Sequence, residues 1–480
     1  MITNYCVIIL KDYFIKSRIK LRTIMFIETQ NPANGQFLKQ YKIIDDVQVQ
    51  QQIEHTHQAF LLWRQTNLAS RLDILTQLLE VMEQNKVLCA ELITKEMGKP
   101  IKFSLAEVEK CMLVCRYYLS HAEQILKPVA QVTEFKKSFV TYNPLGIVLA
   151  VMPWNFPFWQ AFRAIVPNLI LGNAVLLKHA SIVTGCAQQI EALFNLAGFP
   201  AHLFKHLLIS SKQVASVIAN PHIRGVTLTG SEDAGRQIAK EAGQYLKKVV
   251  LELGGNDACI VLADADLQMA AKQILSSRLR NSGQVCVSTK RVIVEKAVHQ
   301  VLVSHLIEEM KGYQLSNPMQ PDSILGPMAR EDLRQNIHQQ VLQVVAQGGQ
   351  LLAGGYIPNQ EGYYYPATLI DNVSPQSIAY QEELFGPVIC VTAVDDVNQA
   401  VTFANQTRFG LGASIFSKNA KLAEKLASES IEAGLCYVNM PVTSDPRFPF
   451  GGIKDSGFGR ELSREGMLEF SNIKTVIIND

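Results

Sequence analysis

Three short apolar runs, separated by segments with helical periodicity, constrain the fold of this chain more than any other feature. They span residues 147–152, 174–178 and 226–229, and helical patterns follow at 184–196 and 234–242. Continuous apolar runs of this length are typical of strands that are buried on both faces, as in a parallel sheet covered by helices. The first half of the chain is therefore predicted to be an α/β unit of the kind that binds nucleotides.

The second half of the chain repeats this alternation. Strands are predicted at 258–262, 291–295 and 388–394, and helices at 299–310 and 330–347. No internal repeat or low-complexity segment interrupts the pattern. The fold class is therefore predicted to be α/β throughout.

Amphipathic helices are predicted before the first buried strand. Apolar residues recur at three- and four-residue spacing through 49–82, and a further helix is predicted at 105–119. Cys111 and Cys115 lie four residues apart on that helix, and without nearby histidines we interpret them as core residues rather than metal ligands. Two further strands are predicted at 139–142 and 475–478.

Composition limits the class of protein. With 480 residues, the chain is long enough for two or three domains at roughly 150 residues each. Lys and Arg number 45 against 43 Asp and Glu, so there is no basic excess for a nucleic acid backbone. Nine cysteines without tight spacing predict neither a disulfide framework nor a metal site. We expect reduced thiols, no metal and a cytoplasmic protein.

Residues 1–25 form an unusual N-terminal segment. The apolar run 6–10 precedes the basic residues, whereas a secretory signal has the opposite order. The run is also far shorter than the roughly 20 residues needed to span a membrane. We therefore expect a dispensable extension with Met25 as the functional start, a transit peptide being the alternative, and no association with a membrane.

Cys286 lies in a sequence context that is typical of a catalytic nucleophile. It follows the turn at Gly283 and precedes an apolar run at 292–294. A thiol is a useful nucleophile at neutral pH only if nearby donors or charges stabilise its thiolate, or if a base generates it. Asn281, Gln284 and the loop amides are candidate donors. The alternative is a small buried hydrophobic residue among valines.

The segment from Gly230 to Gly235 follows a predicted strand and opens a predicted helix. The amides of such a turn can receive a phosphate group. Its spacing matches neither GxGxxG nor the Walker A motif, because Arg236 and Gln237 replace the Lys and Ser/Thr of the latter. A plain turn between a strand and a helix remains the alternative.

Five motifs together resemble the aldehyde dehydrogenases, in the order and approximate separations of that family. They are Pro153-Trp154-Asn155-Phe156-Pro157, Leu228-Thr229-Gly230-Ser231, Glu252-Leu253-Gly254-Gly255, Gly283-Gln284-Val285-Cys286 and Glu382-Glu383-Leu384-Phe385-Gly386-Pro387. The resemblance covers nearly everything after Met25. It implies a Rossmann-like cofactor domain, a catalytic α/β domain and a small β projection for homodimers or homotetramers.

The same resemblance implies the domain boundaries. The cofactor domain is expected at 26–124 and 145–254, and the catalytic domain at 255–455. The oligomerisation projection is expected at 125–144 and 466–480, where the strand that ends near Tyr142 and the C-terminal strand lie.

The resemblance also implies the catalytic residues. Cys286 attacks the aldehyde carbonyl, and the Asn155 amide with the Cys286 backbone N–H stabilises the negative charge on oxygen. Glu252 activates the water that hydrolyses the thioester, and its apolar neighbours should raise its pKa toward a useful range. The alternatives are a turn-forming asparagine at 155 and a strand-end carboxylate that caps a helix at 252.

Cofactor contacts are implied at seven positions. Glu383 matches the ligand of the nicotinamide ribose and Phe385 the ring beside the nicotinamide. Lys178 matches the adenosine ribose contact and Ser231 the pyrophosphate contact. Trp154 and Gly230, within two of the shared motifs, complete the set together with Ser181.

Ser181 decides the expected cofactor. Many family members that prefer NAD carry a glutamate three residues after the lysine that matches Lys178, and this chain has serine there. A carboxylate would repel a 2′-phosphate, whereas serine donates to it. NADP is therefore the expected cofactor, with NAD as the alternative.

Two arginines and a serine suggest the substrate. Arg163 lies eight residues after Asn155 and Arg280 six residues before Cys286, which matches the carboxylate-binding arginines of succinate-semialdehyde dehydrogenases. Ser444 is the expected third contact. Guanidinium groups stay charged and hold a carboxylate bidentately. The alternatives are ion-paired or surface arginines and a general short-chain aldehyde dehydrogenase.

Two other classes of protein share part of this pattern. A catalytically silent relative would act as a structural or binding protein, yet all three implied catalytic residues are present. A thiol hydrolase needs only a thiol, an amide and a carboxylate for acyl transfer. Reduction of a nicotinamide cofactor by an aldehyde separates the dehydrogenase from both.

Overall fold

The computed structural model describes residues 25–479. Of the N-terminal extension that we expect to be dispensable, only Met25 lies within this described part. The helices are α1 (Asp46–Trp63), α2 (Leu68–Met97), α3 (Ile101–Leu126), α4 (Pro157–Leu171), α5 (Thr184–Leu196), α6 (Val214–Ala219), α7 (Glu232–Gln244), α8 (Leu267–Leu279), α9 (Lys296–Met310), α10 (Glu331–Ala346), α11 (Ile378–Gln381), α12 (Val397–Asn405), α13 (Ala420–Lys425) and α14 (Ser463–Leu468).

The strands are β1 (Phe26–Gln30), β2 (Phe37–Lys42), β3 (Val129–Ala130), β4 (Lys137–Pro144), β5 (Ile147–Met152), β6 (Ala174–His179), β7 (Phe204–His206), β8 (Ile223–Thr229), β9 (Lys248–Glu252), β10 (Ala258–Val261), β11 (Arg291–Glu295), β12 (Gln350–Ala353), β13 (Thr368–Asp371), β14 (Val388–Val394), β15 (Phe409–Gly410), β16 (Gly412–Phe416), β17 (Leu435–Val438), β18 (Ile453–Lys454), β19 (Gly457–Phe458) and β20 (Ser471–Ile478).

A six-stranded sheet organises the first half of the chain. Its strand order is β19-β9-β8-β5-β6-β7, parallel except for β19 at the edge. The central strands β5 and β6 are almost entirely buried, as expected for a parallel sheet that helices cover on both faces. The predicted strand 147–152 and the predicted helix 184–196 coincide with β5 and α5 residue for residue.

A seven-stranded sheet organises the second half. Its order is β12-β13-β14-β11-β10-β16-β17, parallel except for β12. Because β11 and β14 are parallel neighbours, the loops that precede them lie side by side at the amino edge of this sheet. The two parallel-strand sheets confirm the predicted α/β class.

A small antiparallel sheet, β20-β4-β3, stands apart from both. Tyr142 of β4 pairs with Ile473 of β20 in register. Strand β20 has only one neighbour in this sheet, and Ile473 and Ile477 on it are exposed. These are the two strands from which the oligomerisation projection was predicted.

Two further observations concern the described part of the chain. None of its helices combines the length and the apolar character that crossing a bilayer requires. All eight cysteines described in the structure are free thiols, and Cys111 and Cys115 are fully buried in the core, as predicted.

Candidate active site

The predicted catalytic residues come together where the carboxyl edge of the first sheet meets the amino edge of the second. Asn155 follows β5 and Glu252 ends β9, both in the first sheet. Cys286 lies in the loop before β11, in the second sheet. Ligands of open parallel sheets bind outside the carboxyl ends of the strands, so this placement is suited to a cofactor and a substrate.

The loop that carries Cys286 is held in an unusual backbone conformation. Asn281, Ser282 and Gly283 have positive φ values of 53°, 54° and 73°. At Gly283 a Cβ atom would lie 2.1 Å from the carbonyl oxygen of Gly386, which only glycine avoids. The cysteine loop therefore packs backbone to backbone against the loop that carries Glu383.

Cys286 is half-buried, and its thiol has an unexpected electrostatic environment. Burial raises its pKa to about 11, although Lys290 and Arg163 oppose that shift. The Asn281 amide donates to the backbone carbonyls of Asn155 and Gln284, and the Gln284 amide donates to that of Asn281. Gln284 keeps a second amide hydrogen, and stabilisation of the thiolate by these side chains stays a prediction.

The Asn155 side chain is buried beside the cysteine loop. Its amide nitrogen donates to the backbone carbonyl of Gln284 at 3.1 Å, and the Asn281 side-chain amide donates to the backbone carbonyl of Asn155 at 2.9 Å. This uses one of the two amide hydrogens of Asn155. A second hydrogen remains for an oxygen bound near Cys286.

Glu252 is fully buried, and neither of its carboxylate oxygens has a hydrogen-bond partner. Burial and the neighbouring carboxylate of Glu461 raise its pKa well above the ordinary value, whereas Arg163 and Arg460 oppose the shift. A buried carboxyl group without partners is costly and is found mainly at functional sites. The group is therefore suited to accepting a proton.

A pocket of about 630 Å³, including its mouth, opens onto Cys286. Apolar side chains, among them Phe156, Trp159 and Phe450, form much of its wall. All three predicted substrate contacts also line it, namely Arg163, Arg280 and Ser444. The pocket thus combines a nucleophile with positive charge, in a largely apolar enclosure.

The two arginines differ in their partners. Arg163 is buried and forms an ion pair with Glu461, with 2.6 Å between nitrogen and oxygen. Its guanidinium also lies over the ring of Phe450 at 4.6 Å. Arg280 forms no ion pair with any described residue, and its buried Nε has no hydrogen-bond partner. Arg280 therefore carries charge that the surrounding protein leaves uncompensated.

The sequence analysis missed several charged residues of the site, among them one lysine of the pocket wall and two residues that form ion pairs. Lys110 lines the pocket, Glu461 holds Arg163, and Lys290 pairs with Glu383. Lys110 carries the clearest local signal, since it lies at helical spacing from the pocket residues Phe103 and Glu107. A charged residue on that face indicates a functional position.

The predicted cofactor contacts lie at the carboxyl edge of the first sheet, except Glu383 and Phe385, which lie in the loop before β14 at the amino edge of the second. Trp154 and Phe385 meet edge to face with 5.9 Å between ring centroids. Glu383 accepts from the Gly255 amide at 3.3 Å. Gly230 follows β8, and exposed Ser231 caps helix α7 by accepting from the Ala234 amide. The plain helix cap considered for this turn is thus present.

Lys178 and Ser181 bear on the identity of the cofactor. Lys178, the second-to-last residue of β6, is half-buried and forms no ion pair with any described residue, and burial lowers its pKa. Ser181 is exposed at the start of the next turn. An ammonium group without an ion-pair partner, three residues before an exposed hydroxyl, fits a ligand that brings phosphate and ribose oxygens. These residues therefore fit an NADP-type cofactor.

Across residues 25–479, no cluster of three or more His, Cys, Asp or Glu side chains is arranged to hold a metal ion.

Comparison with known proteins places these features in context. The sequence profile of the aldehyde dehydrogenase family matches residues 21–476. A probable succinate-semialdehyde dehydrogenase (NADP+) of Synechocystis is 44% identical, covering 95% of this chain and all of the relative. A succinate semialdehyde dehydrogenase (NAD(P)+) of Escherichia coli is 41% identical over 93% of this chain and 96% of its own.

A solved structure shows the same fold. The succinic semialdehyde dehydrogenase of Streptococcus pyogenes, determined in complex with NADP+ as the cofactor, superposes with a TM-score of 0.92. It is 36% identical in sequence and covers 95% of this chain and 100% of its own.

Proposed function

This chain belongs to the aldehyde dehydrogenase family, and we propose that it oxidises succinic semialdehyde to succinate with NADP, NAD being the alternative cofactor. The observation that carries the substrate assignment is the uncompensated Arg280 in the pocket of Cys286. An aldehyde with a carboxylate at its far end places one group at the thiol and the other at the guanidinium.

In the proposed reaction, Cys286 bonds to the aldehyde carbon and the carbonyl oxygen becomes negatively charged. The second hydrogen of the Asn155 amide and the Cys286 backbone N–H are the donors for that oxygen. An amide suits this role because it donates without competing for a proton. Since burial raises the pKa of the free thiol, attack requires a base or a bound ligand that favours the thiolate.

The cofactor would be held between the carboxyl edge of the first sheet and the loop before β14 in the second. We assign Lys178 and Ser181 to the adenosine ribose and its phosphate, Ser231 and Gly230 to the pyrophosphate, and Glu383, Phe385 and Trp154 to the nicotinamide riboside. When bound, NADP accepts the hydride that the substrate carbon loses. A thioester on Cys286 remains.

Glu252 is the proposed base for hydrolysis of that thioester. Its carboxylate has no hydrogen-bond partner to compete with a water molecule, and its raised pKa favours proton uptake. Glu461 lies close enough to contribute to that shift, so a proton taken by Glu252 has a second carboxylate nearby.

Arg280 and Ser444 are the proposed contacts of the substrate carboxylate, and Arg163 borders them. A charge-assisted hydrogen bond contributes roughly 1.5–3 kcal/mol, which suffices to select a carboxylated aldehyde over an unsubstituted one. The alternative, a general short-chain aldehyde dehydrogenase, would use the same thiol without this selectivity.

The direct test compares succinic semialdehyde with butanal, each with NADP and with NAD, by the absorbance of the reduced cofactor. A higher kcat/KM for succinic semialdehyde with NADP supports the proposal. Preference for butanal supports the general dehydrogenase. Turnover of an ester without cofactor, combined with no response to aldehydes, supports the thiol hydrolase instead.

The proposal also covers the domain boundaries, the oligomeric state and the cellular location of the protein. The division into a cofactor domain (26–124 and 145–254), a catalytic domain (255–455) and a β projection (125–144 and 466–480) agrees with the three larger sheets. Exposed isoleucines on edge strand β20 support a homodimer or homotetramer. Free cysteines support a cytoplasmic location.

A further inference from the structure

The pocket beside Cys286 contains four basic side chains, and their partners divide them into two pairs. Lys99 forms a buried ion pair with Glu107, and Arg163 forms one with Glu461. Arg280 has no such partner. Lys110, on α3, also has no carboxylate within ion-pair distance among the described residues, and it lines the pocket. Two positive charges of the pocket are thus uncompensated.

Lys110 is held in place by neutral groups. Its ammonium nitrogen lies 2.8 Å from the Ser444 hydroxyl oxygen and 3.5 Å from that of Thr443. The same nitrogen lies 4.7 Å from the centroid of the Trp159 ring. An ammonium group has three hydrogens, so these contacts orient Lys110 without neutralising its charge.

Ser444 connects Lys110 to any anion in the pocket. Its hydroxyl oxygen accepts from Lys110 and, at 3.0 Å, from the indole nitrogen of Trp159. A hydroxyl has two acceptor lone pairs and one hydrogen. With both lone pairs in use, the hydroxyl hydrogen of Ser444 remains to be donated, and a carboxylate oxygen is the matching acceptor.

From this geometry we propose that Lys110 is a specificity-determining residue that binds the substrate carboxylate together with Arg280 and Ser444. This inference rests on the proposed function and deepens it. In this arrangement Arg163 is held from behind by Glu461 and supports the wall of the pocket, whereas Lys110 supplies the second free charge.

The charge of Lys110 should depend on whether the site is occupied. Burial, Arg280 and Arg163 lower its pKa to about 7 in the empty pocket. The titratable and charged groups around it are Glu107 and Cys111 on its own helix, Lys99, which pairs with Glu107, Arg163 on α4, Arg280 and Cys286, and Asp445, which pairs with Arg447. A bound carboxylate favours the charged form, so binding above neutral pH requires uptake of a proton.

The test compares Lys110→Met, Lys110→Arg and the parent with succinic semialdehyde and butanal across pH. Lys421→Met, an exposed lysine on α13 away from the pocket, is the matched control. The measured quantity is kcat/KM for succinic semialdehyde divided by kcat/KM for butanal. This ratio cancels the pH dependence of the groups that act on both aldehydes. We expect Lys110→Met to lower this ratio at least tenfold, mainly through the KM of succinic semialdehyde.

The pH profile separates binding from a structural role. In the parent the ratio should decline above neutral pH, whereas Lys110→Arg should keep it high and flat because guanidinium stays charged. An unchanged ratio in Lys110→Met, or an equal loss for both aldehydes, would overturn the inference. A parent that prefers butanal would instead overturn the proposed function, so the two failures are distinguishable.

Discussion

The ammonium nitrogen of Lys290 lies 3.0 Å from a carboxylate oxygen of Glu383, and the same lysine donates to the backbone carbonyl of Cys286. One buried cation therefore connects the loop that carries the nucleophile with the loop assigned to the nicotinamide ribose. Lys290 also opposes the rise in the pKa of the Cys286 thiol. Its charge should therefore affect both the reactivity of the Cys286 thiol and the binding of the cofactor.

Replacement of Lys290 with Met should impair thiol reactivity and cofactor binding together. Loss of the cation raises the thiol pKa further, and each pKa unit reduces the thiolate fraction roughly tenfold. We expect slower alkylation of Cys286 by iodoacetamide and a KM for NADP raised about tenfold. Lys290→Arg retains the charge and serves as the control. Equal alkylation rates in parent and Lys290→Met would contradict this role.

Replacement of Cys286 and replacement of Glu252 should block different steps of the reaction. Cys286→Ala should abolish turnover, since no covalent adduct forms. Glu252→Gln should still form the thioester and release one equivalent of reduced cofactor as a burst, followed by little further turnover. Rapid-mixing absorbance measurements check this. Steady turnover of Glu252→Gln near the parent rate would show that another group is the base.

Ionisation of Glu252 should destabilise the folded protein. Its folded-state pKa is raised above its ordinary value of 4.5, so the folded protein retains a proton that the unfolded chain releases. Stability should therefore fall as pH rises above that value. Glu252→Gln should raise Tm on the order of 1–3 °C at about pH 8, with no gain near pH 4.5. The exposed Glu424→Gln is the matched control. A gain independent of pH would exclude this explanation.

Cofactor preference should respond to Ser181. A glutamate at this position brings a carboxylate toward the 2′-phosphate of NADP, which costs on the order of 1–3 kcal/mol, or roughly tenfold to a hundredfold in affinity. Ser181→Glu should therefore shift kcat/KM toward NAD, whereas Ser428→Glu, exposed elsewhere, should not. If the NADP/NAD ratio does not move, Ser181 does not face the ribose.

Arg280 should control substrate selectivity. Its guanidinium forms no ion pair with any described residue and its Nε has no hydrogen-bond partner among them, so it is available to a carboxylate. Arg280→Leu should lower the preference for succinic semialdehyde over butanal by roughly tenfold to a hundredfold. Arg116→Leu, an exposed change on α3, is the control. An equal reduction for both aldehydes in Arg280→Leu would point to a structural role.

Local patterns predicted the elements of this fold better than its contacts. Strand β5 and helix α5 were placed residue for residue, because continuous apolar runs and helical periodicity are local properties. Strands β9 and β16 were missed. Strand β9 begins with Lys248 and ends with Glu252, and β16 begins with glycine, so neither shows the continuous apolar run by which the other strands were predicted.

In the site, too, the sequence predicted the residues better than the contacts between them. Shared motifs predicted which residues lie near Cys286, but not which of them are already paired. The ion pair of Arg163 with Glu461 joins distant parts of the chain, and no spacing rule reveals it. Lys110 was overlooked because its helix was interpreted only as core packing, although its ammonium group faces the pocket.

The late position of several site residues has a consequence for synthesis. Ser444 and Phe450 line the pocket, Glu461 holds Arg163, and β19 completes the first sheet by pairing with β9. A nascent chain on the ribosome can therefore fold much of both sheets while its pocket lacks a wall. The thiol acquires its finished surroundings only when the last segment emerges, so we expect incomplete chains to lack the substrate pocket of the full protein.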